Sequence, residues 1–402
     1  MTDTLYTIPQ NWRWCILEEV SECLDNFRKP INATERAARK GTIPYYGATG
    51  QIGWIDDFLT DEQLILLGED GAPFLDTFKD KAYLIEGKAW VNNHAHILRS
   101  YFGNFGNRYL KYYLNTFDFA EYVTGTTRLK LTQTKMKNIP IPIPPLAEQK
   151  RIVERLDSLF EKLDAAKKIL QDIVDGYEQR RAAILQHAFT GELTEDFRKK
   201  NNLSLDDWQE KTLGEIVNNH DYKRIPLSNK QRTNIKKIYD YYGASGVIDK
   251  VDDYIFDGKY LLIGEDGANL ISRSKPIAFI ANGKYWVNNH AHILSTKEIL
   301  VMEFLCFYIN YIDLTPYVTG SAQPKLTQKN LNIIPVPLPP LEEQKEISRR
   351  LDSLLGKENQ AKEIAEKLLS EIETLKKTIL SRAFRGELGT NNPSENAVEN
   401  FI

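Results

Sequence analysis

Hydrophobic residues recur at steps of four and three through two long stretches of the chain. In the first stretch they are Ile152, Leu156, Leu159, Leu163, Ala166, Leu170, Ile173, Tyr177 and Ile184. In the second they are Ile347, Leu351, Leu354, Ala361, Ala365, Leu368, Ile372, Leu375 and Ile379. Lys, Arg, Glu and Asp flank both rows. A seven-residue hydrophobic repeat of this kind marks a coiled-coil seam. Pro144-Pro145 blocks continuation of what precedes it and suits a helix start. Gly191 and Gly386 lie just past the last apolar residues, where a left-handed cap ends a helix. The pattern predicts spacer helices over 145–190 and 340–386.

Outside those stretches the pattern shortens. Residues 1–144 and 207–339 are rich in Tyr, Gly, Val and Ile, with brief apolar runs. Leu64 to Leu67, followed by Glu69-Asp70-Gly71, reads as a strand running into a hairpin turn. Ala89 to Leu98 alternates like one half-buried strand. Arg108 to Asp118 reads as a helix. Each region is expected to be a mixed α/β globular domain, with a polar linker at 191–206 and a tail at 387–402.

The two halves are copies of each other. Tyr45-Tyr46-Gly47-Ala48-Thr49-Gly50 returns as Tyr241-Tyr242-Gly243-Ala244-Ser245-Gly246, and Gly68 to Ala72 returns as Gly264 to Ala268. Trp90 to Leu98 returns unchanged as Trp286 to Leu294, all at one offset. Beyond Leu294 the offset drops by one. There Tyr122-Val123-Thr124-Gly125 matches Tyr317 to Gly320, Lys130 to Gln133 matches Lys325 to Gln328, and Pro144 to Lys150 matches Pro339 to Lys345. Self-similarity over nearly the whole chain is a tandem duplication, not a solenoid of short repeats.

Two matched heptad helices in one chain most simply pair with each other, and the linker leaves room for the second to return antiparallel. The expected fold class is therefore α+β: two mixed α/β domains separated by two long helices forming an antiparallel coiled coil, pseudo-twofold symmetric. A helix of about 43 residues is roughly 65 Å long. That is enough to hold two heads about one DNA turn, roughly 34 Å, or more apart.

Composition narrows the class. The 402 residues are 42% hydrophobic and 27% charged, ordinary for a soluble globular protein. No apolar run reaches the roughly 18–20 residues of a membrane span. The start, Met1 to Trp14, lacks the basic segment and apolar core of a secretory signal. Cys15, Cys23 and Cys306 are odd in number and widely spaced, so they make neither a disulfide framework nor a zinc pattern. A reducing cytoplasm is the expected compartment. A net charge of −3 argues against a chain that simply coats nucleic acid. Any positive charge that meets phosphate must be local.

It is local in two places per copy. Arg28-Lys29-Pro30-Ile31-Asn32, with Arg36, Arg39 and Lys40, reads as a basic loop. Its counterpart is Lys223-Arg224-Ile225-Pro226-Leu227 with Lys230, Arg232, Lys236 and Lys237. Such loops can sit on phosphates and offer Arg to guanine edges; the alternative is a solvated surface. Thr126, Arg128, Lys130, Lys135 and Lys137 form a second basic stretch, matched weakly by Gln323, Lys325 and Lys329. Thr-Gly-Thr-Thr-Arg against Thr-Gly-Ser-Ala-Gln is one of the sharper differences between the copies, as in a specificity loop or in ordinary drift. Tyr45, Tyr46, Tyr241 and Tyr242 either bring rings and a close backbone to DNA or fill the core around a tight turn. His94 and His96, repeated as His290 and His292, would share a strand face, as two zinc ligands can. No third ligand stands at ligand spacing, so a hydrogen-bonding role is expected. No site for acid–base catalysis is found.

These features together resemble the specificity subunits of type I restriction–modification systems. The resemblance covers almost the whole chain. Its most specific part is Ile141-Pro142-Ile143-Pro144-Pro145-Leu146-Ala147-Glu148-Gln149, with Val336 to Gln344 in the second copy. Ala188 to Leu193, Ala383 to Leu388, and the Trp12/Leu17/Glu19 and Trp208/Leu213/Glu215 spacings also fit the family. The resemblance implies two target recognition domains, each reading one half of a split double-stranded DNA site. It implies helices that set the spacing and dock two modification subunits, for which Leu156, Leu163, Leu170, Leu351, Leu354 and Leu368 are the candidates. It implies that S-adenosylmethionine sits on those partners, that they methylate adenine, and that restriction subunits join to cleave. No cofactor, metal or catalysis is expected of this chain, and no membrane partner. The sequence carries no Asp/Asn-Pro-Pro-Tyr/Phe methylation motif and no phosphate-binding Gly-x(4)-Gly-Lys-Ser/Thr loop. Two other readings stand beside it: a protein-binding adaptor with two heads on a coiled coil, and the specificity subunit of a system whose modification and cleavage are fused in one partner. The match of Trp90 to Leu98 with Trp286 to Leu294 predicts related half-sites, an interrupted and partly palindromic target.

Overall fold

The computed structural model describes residues 6–320 and 322–397. Met1 to Leu5 of the chain start, Ser321 of the loop that differs between the copies, and 398–402 of the tail lie outside the described residues. The chain divides into two compact units, 1–171 with 366–402, and 172–365. Each unit holds one α/β domain and a piece of both long helices, so this division cuts across the consecutive segments read from the sequence.

The first domain is stitched shut by its own ends. Strand Arg13–Ile16 pairs antiparallel with Pro140–Ile143, from Arg13 opposite Ile143 to Ile16 opposite Pro140. Pro142 and Pro140 lack an N–H, which such a two-stranded edge tolerates. Between these ends lie two four-stranded sheets. One is antiparallel, in the order Ser21–Cys23, Ala95–Ser100, Leu64–Gly68, Ala82–Ile85. Leu64, Ile65, Leu66 and Leu67 are all buried, because the helix Gly103–Leu114 packs nearby and the second sheet lies behind. The second sheet runs Gly50–Ile55, Ile43–Gly47, Lys88–Val91, Thr60–Asp61, with one parallel pairing in the middle. The second domain repeats this pattern between Gln209–Thr212 and Pro335–Leu338.

Several sequence expectations change here. Ala89 to Leu98 is not one strand. Lys88–Val91 and Ala95–Ser100 belong to different sheets, and Asn92–His94 turns between them. His94 therefore sits in the turn and His96 on a strand. Glu69-Asp70-Gly71 is not a tight hairpin: the next strand begins only at Ala82, and Glu69 and Asp70 are drawn into ion pairs. The helix expected at Arg108 to Asp118 starts earlier, at Gly103, and ends at Leu114.

The second spacer helix, Leu341–Ala383, is continuous. The first is two helices, Leu146–Asp175 and Tyr177–Phe189. The break has a cause. The Arg180 guanidinium donates to the Ile173 carbonyl at 2.7 Å, taking the acceptor that the Tyr177 N–H would use. Gly176 permits this, because a Cβ there would lie 2.4 Å from Arg180 Nη1. Gly191 and Gly386 end the helices at φ +83° and +74°, the left-handed cap read from the sequence.

Helix pairing occurs within each unit. In the first, Lys376 meets Asp164 at 2.5 Å and Lys167 meets Glu373 at 2.6 Å, so the two segments run antiparallel. In the second, Arg180 meets Glu358 at 2.8 Å and Tyr177 meets Asn359. Ile152, Leu156, Ile347 and Leu351 are fully buried against their domains. Leu163, Leu170 and Leu354 are half-buried in the pairing. Leu368 and Leu375 are not on the seam. They are exposed, and Ala365, Leu369 and Ile372 take the inward face instead.

The Pro-Pro-Leu-x-Glu-Gln segments explain themselves structurally. Glu148 and Glu343 are fully buried. Glu148 accepts from Trp12 Nε1 at 2.8 Å and from Asn391 at 2.9 Å. Glu343 accepts from Trp208 Nε1 at 3.0 Å, Thr194 at 2.7 Å and the buried Arg198 at 2.6 Å. Gln149 and Gln344 donate back to the Pro144 and Pro339 carbonyls at 3.0 and 2.8 Å. The motif thus locks each domain to the helix that leaves it.

Candidate nucleic-acid interface

Each domain holds a buried polar clamp whose parts the sequence reading had spread over separate motifs. Asp25 opens a short turn, and its carboxylate meets His96 Nδ1 at 2.7 Å, the Ile97 N–H at 2.9 Å and Arg28 at 3.1 Å. Arg28 also pairs with Glu69 and donates to the Ala95 carbonyl at 3.2 Å. His96 Nε2 faces the Leu131 carbonyl at 2.9 Å. Asp221, Arg224, Glu265, His292 and the Leu326 carbonyl repeat every part. Burial alone would raise Asp25. The hydrogen bond and charge of His96, the Ile97 N–H and Arg28 outweigh it and hold the carboxyl below its ordinary range. Asp221 is held low in the same way, and Glu69 and Glu265 are held low against burial mainly by hydrogen bonds from Arg28 with Lys130 and from Arg224 with Lys325.

Asp25, Glu69 and His96, like Asp221, Glu265 and His292, form a donor set that a metal could use. The sequence offered no third ligand near the His pair; the fold supplies two carboxylates from distant positions. The cation is nevertheless already present, since the Arg28 or Arg224 guanidinium lies between the two carboxylates. Arg28 and Arg224, expected on DNA, are thereby corrected to structural clamps whose forks point inward. Tyr45 and Tyr241 are corrected likewise. They are 1% and 2% exposed, and their hydroxyls face the Ile31 and Leu227 N–H groups. Arg36 and Arg232 lie half-buried over those rings, at 4.8 and 4.9 Å from the centroids. Arg232 also pairs with Asp249 at 2.5 Å. Tyr46 and Tyr242 are half-buried against Tyr83 and Phe279.

What the clamp holds out to solvent is a turn. The Asn92 N–H donates to Tyr46, the His94 N–H to the Asn92 side chain at 2.8 Å, and the Glu69 N–H to the His94 carbonyl. Asn93 stands exposed and His94 half-buried beside it, while Asn289 and His290 are both exposed. Beside the turn, the strand pair Ile43–Gly47 and Gly50–Ile55 carries a bulge at Tyr45/Tyr46 that leaves Ile52 over and exposed. The bulge recurs at Tyr241/Tyr242, with Ile248 exposed. Gly47 and Gly243 lie under those isoleucines, 3.1 Å from their Cδ1 by the Cβ each glycine lacks. In the first domain Asn32, Arg36, Ile52, Asn93 and His94 line a cavity of about 500 Å³.

Around this centre the remaining expected residues are exposed: Lys29, Lys223, Lys230, Thr126, Arg128, Lys130, Gln323 and Lys325. Lys130 and Lys325 hold Glu69 and Glu265 at 3.0 Å each. Arg128 is 60% exposed and touches Asp70 at 2.8 Å. The stretches expected as loops are partly helical, Ala33–Ala38 capped by Asn32 and Asn229–Arg232 capped by Ser228. Asp25 and Asp221, Ile52 and Ile248, and Asn93 and Asn289 were not foreseen as parts of the site. The repeated Asp-x-x-Arg, at 25–28 and 221–224, was the signal for the first pair.

Two domains of one build, each presenting a polar turn inside a basic rim, define a duplicated recognition chain. The sequence matches the Type I restriction modification DNA specificity domain twice, over residues 9–174 and 205–374. It is 25% identical to the type I restriction enzyme EcoDI specificity subunit of Escherichia coli, over 97% of this chain and 91% of that one. It is 30% identical to the StySPI specificity subunit of Salmonella potsdam, over 64% and 59%. Its fold is that of the HsdS subunit from Thermoanaerobacter tengcongensis, with a TM-score of 0.61 and 19% identity over 96% of this chain and 100% of that one. The chain belongs to the type I restriction–modification specificity subunits, the DNA-recognition chains of those systems. Among the described residues no helix is long and apolar enough to cross a membrane.

Proposed function

We propose that each domain reads one half of a split double-stranded DNA target and that the chain itself makes and breaks no bond. The observation that carries this reading is the repetition of one apparatus: the buried clamp, the exposed Asn-His turn and the bulged isoleucine occur at matching places in both domains. The exposed lysines around it, Lys29, Lys40, Lys223, Lys230 and Lys236, suit phosphates, which position a protein without reading sequence. The turn and bulge are among the parts placed to reach base edges.

Two modification subunits dock on the paired helices, bring S-adenosylmethionine and methylate adenine; restriction subunits then join. Ile169, Leu368 and Leu375 support the docking, since they are 62%, 40% and 46% exposed on helices that are otherwise charged. The test is long-read mapping of methyladenine in the host, with and without the gene. Loss of methylation at one split motif on deletion is the expected result. Methylation unchanged at every motif, with the assembled complex binding duplex DNA without salt dependence, would overturn the reading.

A further inference from the structure

The two domains hold their variable loop in one backbone frame and fill its tip with different chemistry. In the first, the Leu131 N–H donates to the Glu69 carbonyl at 2.7 Å and the Gly71 N–H to the Leu129 carbonyl at 3.0 Å. In the second, the Leu326 N–H donates to Glu265 at 2.7 Å and the Gly267 N–H to Pro324 at 3.0 Å. Gly125 and Gly320 both take positive φ, +101° and +85°. Each lies against the carbonyl three residues on, where a Cβ would come within 2.5 Å of Arg128 O or 2.6 Å of Gln323 O. The backbone of Asp70 lies opposite that of Lys130 in an isolated antiparallel β-bridge, as Asp266 does opposite Lys325. Arg128 and Gln323 therefore occupy the same place in two equally anchored loops.

Their surroundings differ in one respect. In the first domain Asp70 Oδ1 accepts from Arg128 Nη2 at 2.8 Å and faces His94 Nδ1 at 2.6 Å. In the second, both oxygens of Asp266 face His290 Nδ1 at 2.8 Å. Asp70 thus orients an exposed guanidinium while occupying one of its five N–H groups. Gln323 is exposed and carries no side-chain hydrogen bond among the described residues. The chemistry of the two tips is opposed. Arg offers only donors, matching the two acceptors, O6 and N7, on the major-groove edge of guanine. Gln offers a donor and an acceptor, matching N7 and N6 of adenine.

We infer that Arg128 and Gln323 are the specificity-determining pair at which the two half-sites differ, guanine being read by the first domain and adenine by the second. The inference rests on the reading of each domain as a half-site reader. The turns Asn92–His94 and Asn288–His290 are identical, so the bases they meet stay fixed when the tips are exchanged.

The experiment uses the full-length chain co-expressed with its own modification subunit in a host lacking both, and maps methyladenine. Arg128→Gln is expected to change one guanine in one half of the motif to adenine and leave the other half intact. Gln323→Arg is expected to make the reciprocal change in the other half. Preference at the affected position should move by about ten- to a hundredfold. A wild-type motif with both variants leaving it unchanged overturns the inference alone. A wild-type complex that methylates no motif overturns the reading beneath it. If a variant loses methylation, selection of bound duplexes from a randomised pool decides: a base change at one position supports the inference, and the wild-type sequence recovered with uniformly weaker binding marks Arg128 as a phosphate contact and overturns it.

Discussion

Arg28 and Arg128 carry the same charge and have opposite tasks, which makes them the sharpest comparison at the scale of single residues. Arg28 lies between two buried carboxylates, so Arg28→Ala leaves Asp25 and Glu69 without their cation and should cost about 3 kcal/mol in urea unfolding. Arg128→Ala, at an exposed tip, should change stability by less than about 0.5 kcal/mol. Equal effects of the two would refute the assignment of the clamp. The clamp also has a pH signature. Asp25, Glu69, Asp221 and Glu265 are held below their ordinary range in the folded chain. Their contribution is complete above the unfolded carboxylate value, about 4, and is lost as the pH falls through the folded value. Acid unfolding followed by circular dichroism should therefore begin below about pH 4, and Arg28→Gln should move its midpoint to higher pH.

Among the elements, the spacer helices were the easiest to read and the turns the hardest. Heptads and terminal glycines place both helices, because periodicity and capping are local properties of the chain. The break at Gly176 was not legible, since it depends on where one side chain, Arg180, goes. Nor was the seam at Leu368. An apolar residue one position off a stripe looks the same in sequence as one on it, and only the partner helix decides that Leu369 turns inward. The clamp was half legible: the sequence predicts a hydrogen-bonding role for His96, which the structure has, but reads Arg28 as a DNA contact. Asp25 is separated from His96 by 71 positions, and nothing local joins them. The duplication nevertheless marks such residues, since Asp221 recurs where a drifting surface would not keep it. At this scale Glu343 offers a test. Glu343→Ala strands the buried Arg198 and two further donors, and should destabilise the second unit by about 3 kcal/mol. Glu148→Ala strands Trp12 and Asn391 while Arg151 keeps Glu395, so its cost should be nearer 1–2 kcal/mol. Differential scanning calorimetry of the two variants should show that order.

For the whole molecule, duplication is the governing fact. Two heads of one build predict an interrupted target whose halves share bases; a target with no base in common between its halves would defeat this. On the proposed reading, the helices set the gap between the halves. Removing seven residues from both, in register, should shorten the unspecified gap in the methylation motif, and an unchanged gap would show that the helices do not set it.

The stitch between the first and last strands of each domain reaches further than folding. Arg13–Ile16 lies beside Pro140–Ile143, and Gln209–Thr212 beside Pro335–Leu338, so the chain leaves each head where it came in. The turns and loops proposed to read sequence lie between those paired strands in the chain, and the long helices lie outside them. A crossover between genes at those two points would replace a whole reader without disturbing the scaffold. A lineage could thereby acquire a new target in one recombination event and leave its long helices unchanged.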